Sequence, residues 1–106
     1  MKQTVKVIDI SAKEWFDRVN GNSYFSAHIS IDGKYTARLP YQYGYGDHYI
    51  DMASQWLDEN RIIDNKRNSN GSRTGLSYYC RENGIILVSY KQEKCLKREV
   101  IAWGKE

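Results

Sequence analysis

The stretch SYFSAHISIDGKYTARL, residues Ser23–Leu39, decides the fold. Phe25, Ala27, Ile29 and Ile31 alternate with Tyr24, Ser26, His28 and Ser30, the period-2 pattern of a strand with one buried face. Asp32-Gly33 is a hairpin dipeptide, and Lys34–Leu39 returns with Tyr35, Ala37 and Leu39 on one face. Two rules conflict at this turn. A two-residue turn sets Ile31 opposite Lys34 and Ile29 opposite Thr36, which mixes apolar and polar side chains. A three-residue connection sets Ile31 opposite Tyr35 and Ile29 opposite Ala37. A one-residue slip sends every side chain of a strand to the other face, so burial outweighs turn preference. The sequence therefore predicts an odd-length loop or a β-bulge.

Towards the N-terminus, Thr4–Ile10 is β-branched and reads as a strand. Ser11 and Glu14 have the spacing of a capping box, and Ala12, Trp15, Phe16 and Val19 recur at helical spacing, which predicts a short helix over 11–19. Towards the C-terminus, Pro40 ends the hairpin strand and Tyr41–Gly46 forms an aromatic, glycine-punctuated loop. Asp47 caps a helix from His48 to about Asn60, with Tyr49, Ile50, Ala53, Trp56 and Leu57 on its buried face. Residues 64–73 hold no apolar side chain and read as a mobile polar loop. Thr74 caps a third helix that ends at Gly84. The apolar run of Ile85–Lys91 predicts a central strand covered on both faces, and Leu96–Trp103 a final strand that closes a basic hairpin.

The expected architecture is a single α+β domain over residues 1–106. It is a mainly antiparallel sheet of about five strands in the order β-α-β-β-α-α-β-β, with helices packed on one face. Its expected core joins Trp15, Phe16, Phe25, Ile29, Trp56, Leu57 and Val88.

Composition removes several function classes. The chain has 106 residues, 16 Lys and Arg against 13 Asp and Glu, and a net charge of +3, too mild to mark a nucleic-acid binder by itself. No apolar run reaches the length of a membrane span, and the polar opening predicts no secretory signal. The expectation is a cytoplasmic protein with Cys80 and Cys95 reduced and unbridged. His28, His48, Cys80 and Cys95 show no metal-ligand spacing, so no metal or cofactor is implied. No coherent nucleophile or acid–base pair marks an enzyme. Tyr43-Gly44-Tyr45-Gly46-Asp47 lacks the lysine of a phosphate loop, and the turn's own geometry accounts for its glycines. A core of this size supports a few kcal/mol of stability, which leaves a homodimer open.

Two groups are candidate contacts. Aromatic residues make up 13% of the chain, and nine of them are tyrosine. Tyr41, Tyr43 and Tyr45 fall on one side of an extended segment, followed by Tyr49. They form either the rim of the core or an exposed patch that binds a partner. Lys91, Lys94, Lys97 and Arg98 flank the predicted last hairpin, where nucleic-acid phosphates would lie, with Tyr90 and Trp103 near enough to stack bases; Glu93 and Glu99 interrupt this set.

Two segments, EWFDRVNGNSYF at 14–25 and LPYQYGYGDHY at 39–49, resemble a group of small proteins encoded by bacteriophages and prophages. The likeness covers about residues 5–57 and transfers no activity or catalytic residues. It implies a setting, the bacterial host cytoplasm. There small accessory proteins, anti-CRISPR proteins among them, inhibit a host defence system by occupying an effector complex or sequestering its signal. The expectation is thus a non-enzymatic binding protein with a host defence protein or complex as partner. The alternative is a small nucleic-acid-binding module built on the basic C-terminal hairpin.

Overall fold

In the computed structural model, which describes residues 5–63 and 75–105, β1 (Val7–Asp17) is one strand of 11 residues. Ile8, Ile10 and Ala12 are buried on one face, while Asp9, Ser11, Lys13 and Trp15 point to the other. The helix expected over 11–19 does not form. An isolated helix of nine residues is marginal even with a good cap. Its competitor is a strand paired with β2 (Asn22–Ile31) without a break from Ile8↔Ile31 to Asp17↔Asn22. The capping-box spacing lost to that ladder.

The hairpin joining β2 to β3 (Lys34–Tyr43) resolves the register conflict with a bulge. The two-residue turn is kept: Asp32 and Gly33 both have positive φ, at 51° and 83°, and Ile31 stands opposite Lys34. The Asp32 carboxylate also accepts the backbone N–H groups of Lys6 and Val7, each at 2.9 Å, tying the turn to the start of β1. The register then shifts by one residue, so that Ser30 faces Tyr35 while Ile29 faces Ala37. A second shift leaves Pro40 and Tyr41 together opposite Ser26. Pro40 does not end the strand. It sits in the bulge, where its missing N–H costs no ladder bond, and β3 continues to Tyr43.

The remaining elements are α1 (His48–Glu59), α2 (Leu76–Glu82), β4 (Ile86–Gln92) and α3 (Lys97–Trp103). The fold is α+β, and the described residues form a four-stranded mixed sheet in the order β3-β2-β1-β4: two of its three pairings are antiparallel, as expected, but the third is parallel and there are four strands where about five were expected. β4 pairs with β1 in parallel, Val7↔Ile86 through Lys13↔Gln92, and lies at the sheet edge instead of its centre. Ile86, Val88 and Tyr90 are exposed, so the apolar run of β4 is not covered on both faces. The segment expected as a final strand is α3. The Leu96 N–H donates to the Glu99 carboxylate at 2.9 Å, a helix-start contact, and Val100 and Trp103 turn to the sheet at helical spacing. The predicted loop at 64–73 and the Thr74 cap lie outside the described residues.

Helices cover both faces, not one. α1 and α2 bury Tyr49, Ala53, Leu57, Leu76 and Cys80 against Ile8, Ile10, Phe25, Ala27 and Ile29. Trp56 packs partly buried against this core, but Trp15 lies on the opposite face, and Phe16 and Val88 are exposed, so the expected seven-residue core does not hold. On the other face α3 docks by specific contacts. Ser26 Oγ donates to the Val100 carbonyl, and the Trp103 indole N–H donates to the Ser11 carbonyl at 3.3 Å. The His28 ring stacks on Trp103 at 3.6 Å between centroids, and its Nε2 donates to the Trp103 carbonyl at 2.7 Å.

Gly104 closes this contact. Its φ of −77° suits any residue, but a Cβ there would meet the Tyr41 backbone N at 2.8 Å and Ser26 Cβ at 3.0 Å. Gly104→Ala is expected to lift the end of α3 and destabilise the fold by about 1–3 kcal/mol. Gly75→Ala, where nothing lies within 4 Å of the added Cβ, is the control and should stay near wild type. Denaturant melts of the two variants check this.

Candidate interface at the aromatic end of the sheet

The end of β1, the start of β2 and the end of β3 meet at one end of the sheet, with Trp15 opposite Tyr24 and Tyr24 opposite Tyr43. On the face away from α1, rings line up across all three strands. Trp15 stacks on Tyr24 at 5.7 Å, Tyr24 stacks on Tyr41 at 5.2 Å with planes 7° apart, and Tyr43 meets Tyr24 edge-on at 5.8 Å. The bulge at Pro40 makes this row possible. In an unbroken strand Tyr41 and Tyr43 would share the buried face of Leu39, and the extra residue turns them to the other side.

The four candidate tyrosines therefore separate. Tyr41 and Tyr43 belong to β3 and not to a loop, and only Tyr45 lies in the following turn. Tyr43 and Tyr45 are 56% and 71% exposed; Tyr49, at 5%, is a core residue of α1. Gly44 between them is obligatory, because a Cβ would come within 2.6 Å of the Phe25 ring and collide with His48. Phe16, on the other side of β1 from Trp15, is 50% exposed. The helix expected over 11–19 put Trp15 and Phe16 in the core, whereas Trp15 lies half-buried in the ring row beside Tyr24 and Phe16 is exposed. The alternation of Ile8, Ile10 and Ala12, continued past Ser11, would have placed Trp15 beside Tyr24.

Two hollows flank the aromatic end. One, of about 440 Å³, is lined by Tyr43, Tyr45, Asp47, His48 and Asp51. The other, of about 480 Å³, lies between the end of β1 and the turn after β4, lined by Trp15, Phe16, Arg18, Lys94 and Leu96 among others.

The basic candidates do not flank a hairpin; they span the end of β4, a turn and the first turn of α3. Lys91 is turned inward, mostly buried, donating to Glu14 at 3.2 Å and to the Gly46 carbonyl at 3.0 Å, with Glu93 at 3.8 Å. Lys97 lies over the Trp15 ring at 5.3 Å. Lys94 and Arg98 are exposed. Of the two rings expected to stack bases, Tyr90 is exposed on β4 and Trp103 is occupied by His28. Cys80 and Cys95 are free and buried, and burial pushes the Cys80 thiol up. Among the described residues no group of three or more His, Cys, Asp and Glu comes together, and no helix is long and apolar enough to cross a membrane. No family model, curated protein or solved structure matches the chain.

Burial among the rings holds the Tyr41 phenol above its ordinary 10.0, and charge on Tyr24 and Asp17 adds to the shift. A raised phenol contributes stability that is fully present below pH 10 and lost as pH rises through the folded value. Tyr41→Phe should therefore flatten the alkaline fall in denaturant midpoint and remove one late phenolate transition from an ultraviolet titration. Lys91→Ala, which leaves Glu14 mostly buried without its cation, should cost about 2 kcal/mol. The melting temperature of Lys91→Ala, against that of Arg98→Ala as an exposed control, checks this.

Proposed function

We propose that this chain is a non-enzymatic binding protein that acts by occupying a partner through the aromatic end of its sheet. One observation carries the reading: the stacked row of Trp15, Tyr24 and Tyr41, continued outward by the exposed Tyr43, with Tyr45 exposed just after it in the chain. Tyr43 and Tyr45, left largely in water at the end of a half-buried row, cost solvation free energy that a partner surface recovers. Tyrosine gives much contact area for few rotatable bonds, and its hydroxyl keeps the free protein soluble. The sheet below the rings holds them in place.

The likeness of the 14–25 and 39–49 segments to phage and prophage proteins supports a partner in the host cytoplasm, a defence protein or complex of the CRISPR type or its nucleotide signal. The nucleic-acid reading has less behind it, because Lys91 is committed to Glu14 and the Gly46 carbonyl. Lys94, Lys97 and Arg98 remain for it.

Tyr43→Ser combined with Tyr45→Ser is the test. Both sites are exposed, so stability should stay within about 0.5 kcal/mol of wild type. Capture of the partner that the wild-type chain retains from host lysate should be lost. Capture undiminished in this folded variant overturns the reading. Capture that instead weakens steeply with added salt and is abolished by nuclease favours the nucleic-acid alternative.

A further inference from the structure

We infer that the hollow beside the end of β1 takes an extended acidic segment of the partner protein, laid along the free edge of that strand; the inference rests on the binding role proposed above. β4 pairs with β1 only as far as Lys13↔Gln92, whereas β1 runs on to Asp17. The Ile86 N–H donates to the Lys6 carbonyl and the Cys95 N–H to the Glu14 carbonyl, so the even-numbered peptide groups of β1 face this edge. The same alternation directs the N–H and C=O of Phe16 into the hollow, where no described residue pairs with them. An unpaired strand edge is the template for an added strand.

The walls and charges agree with a peptide of one kind. Phe16 and Leu96, each about half exposed, offer apolar area to an alternate side chain. Of the nearby carboxylates, Glu14 and Asp17 are hydrogen-bonded within the fold, while Glu93 is 63% exposed. Glu14 and Glu93 lie on Lys91 at 3.2 and 3.8 Å. Asp17 accepts the Val19 N–H, the Asn20 N–H and the Asn20 side-chain amide, which together with nearby Lys97 holds its carboxyl below the ordinary range. Arg18, which follows β1, and Lys94, which follows β4, both line the hollow and have no such partner among the described residues. The site therefore presents two uncommitted cations to its ligand. A carboxylate side chain of an extended segment reaches Arg18 or Lys94 while its own backbone pairs with Phe16. A nucleic-acid strand would use the cations but has no use for a paired amide and carbonyl at strand spacing.

The test titrates acetyl-EVEVEVE-amide, acetyl-KVKVKVK-amide and oligothymidylate into the full chain, followed by amide resonances. The acidic peptide should shift the Phe16, Arg18 and Lys94 amides and slow hydrogen exchange at Phe16; the basic peptide should not. Arg18→Gln with Lys94→Asn, the latter chosen because Lys94 has a φ of 61°, should weaken the acidic peptide by about tenfold or more. Arg18→Gln alone carries the comparison if the double variant melts early. Lys34→Gln, an exposed cation at the β2–β3 turn outside the hollow, should leave peptide binding unchanged. Equal response to both peptides, preference for oligothymidylate at these resonances, or binding indifferent to Arg18→Gln overturns the inference. Failure of the broader reading looks different: partner capture survives loss of Tyr43 and Tyr45 while the peptide still binds.

Discussion

The unbroken antiparallel pairing of β1 with β2 is the constraint on which the rest of this protein depends. It gives the sheet two different faces along its length. One is Ile8, Ile10, Ala12, Phe25, Ala27 and Ile29, apolar and covered by α1 and α2. The other is Ser11, Lys13, Ser26 and His28 in the middle, where α3 docks through hydrogen bonds and a stacked ring pair. A sheet that packs on both sides needs period-2 patterning of both sets, and the polar set here is small enough for a helix to approach closely.

Bulges then decide what the third strand shows. Without them the odd-numbered residues of β3, from Tyr35 to Tyr43, would all point to one side. The shift near Thr36 keeps Ala37 and Leu39 inward while releasing Tyr35 to meet His28, and the shift at Pro40 releases Tyr41 and Tyr43 to meet Tyr24. Small side chains stay over the core and large amphipathic ones move to the surface. The cost is two local breaks in the ladder, one placed where proline had no N–H to contribute.

Electrostatics follow from the same geometry. The last residues of β4 bring Lys91 beside Glu14 on the neighbouring strand, and that pair, with the Gly46 carbonyl, links β1, β4 and the turn before α1. It withdraws one cation from the surface and silences a carboxylate. The local balance is left to Arg18, Lys94 and Lys97 around an apolar hollow. A modest net charge of +3 thus becomes a directional one through pairing, not through excess.

Read alone, the sequence determined what is local: β2 by its alternation, α1 and α2 by their apolar stripes, and a hairpin at Asp32-Gly33 that needs either an odd-length loop or a bulge, of which the structure has the bulge. Tyr41, Tyr43 and Tyr45 stood out as unusual, but not which of them would be exposed. Tertiary structure decided whatever depended on distant partners. Residues 11–17 follow a helical cap pattern and also a strand alternation, and only β2 on one side and β4 on the other select the strand. LKREVIAW is expected as a strand, and the docking of Val100, Trp103 and Gly104 against Ser26, His28 and Pro40 makes it a helix instead. Lys91 and Glu14, separated by 77 positions, cannot be paired by eye. The division has one physical cause: spacing along the chain reports a segment's own preferences, whereas the energy of a ladder or a buried ion pair belongs to two segments at once.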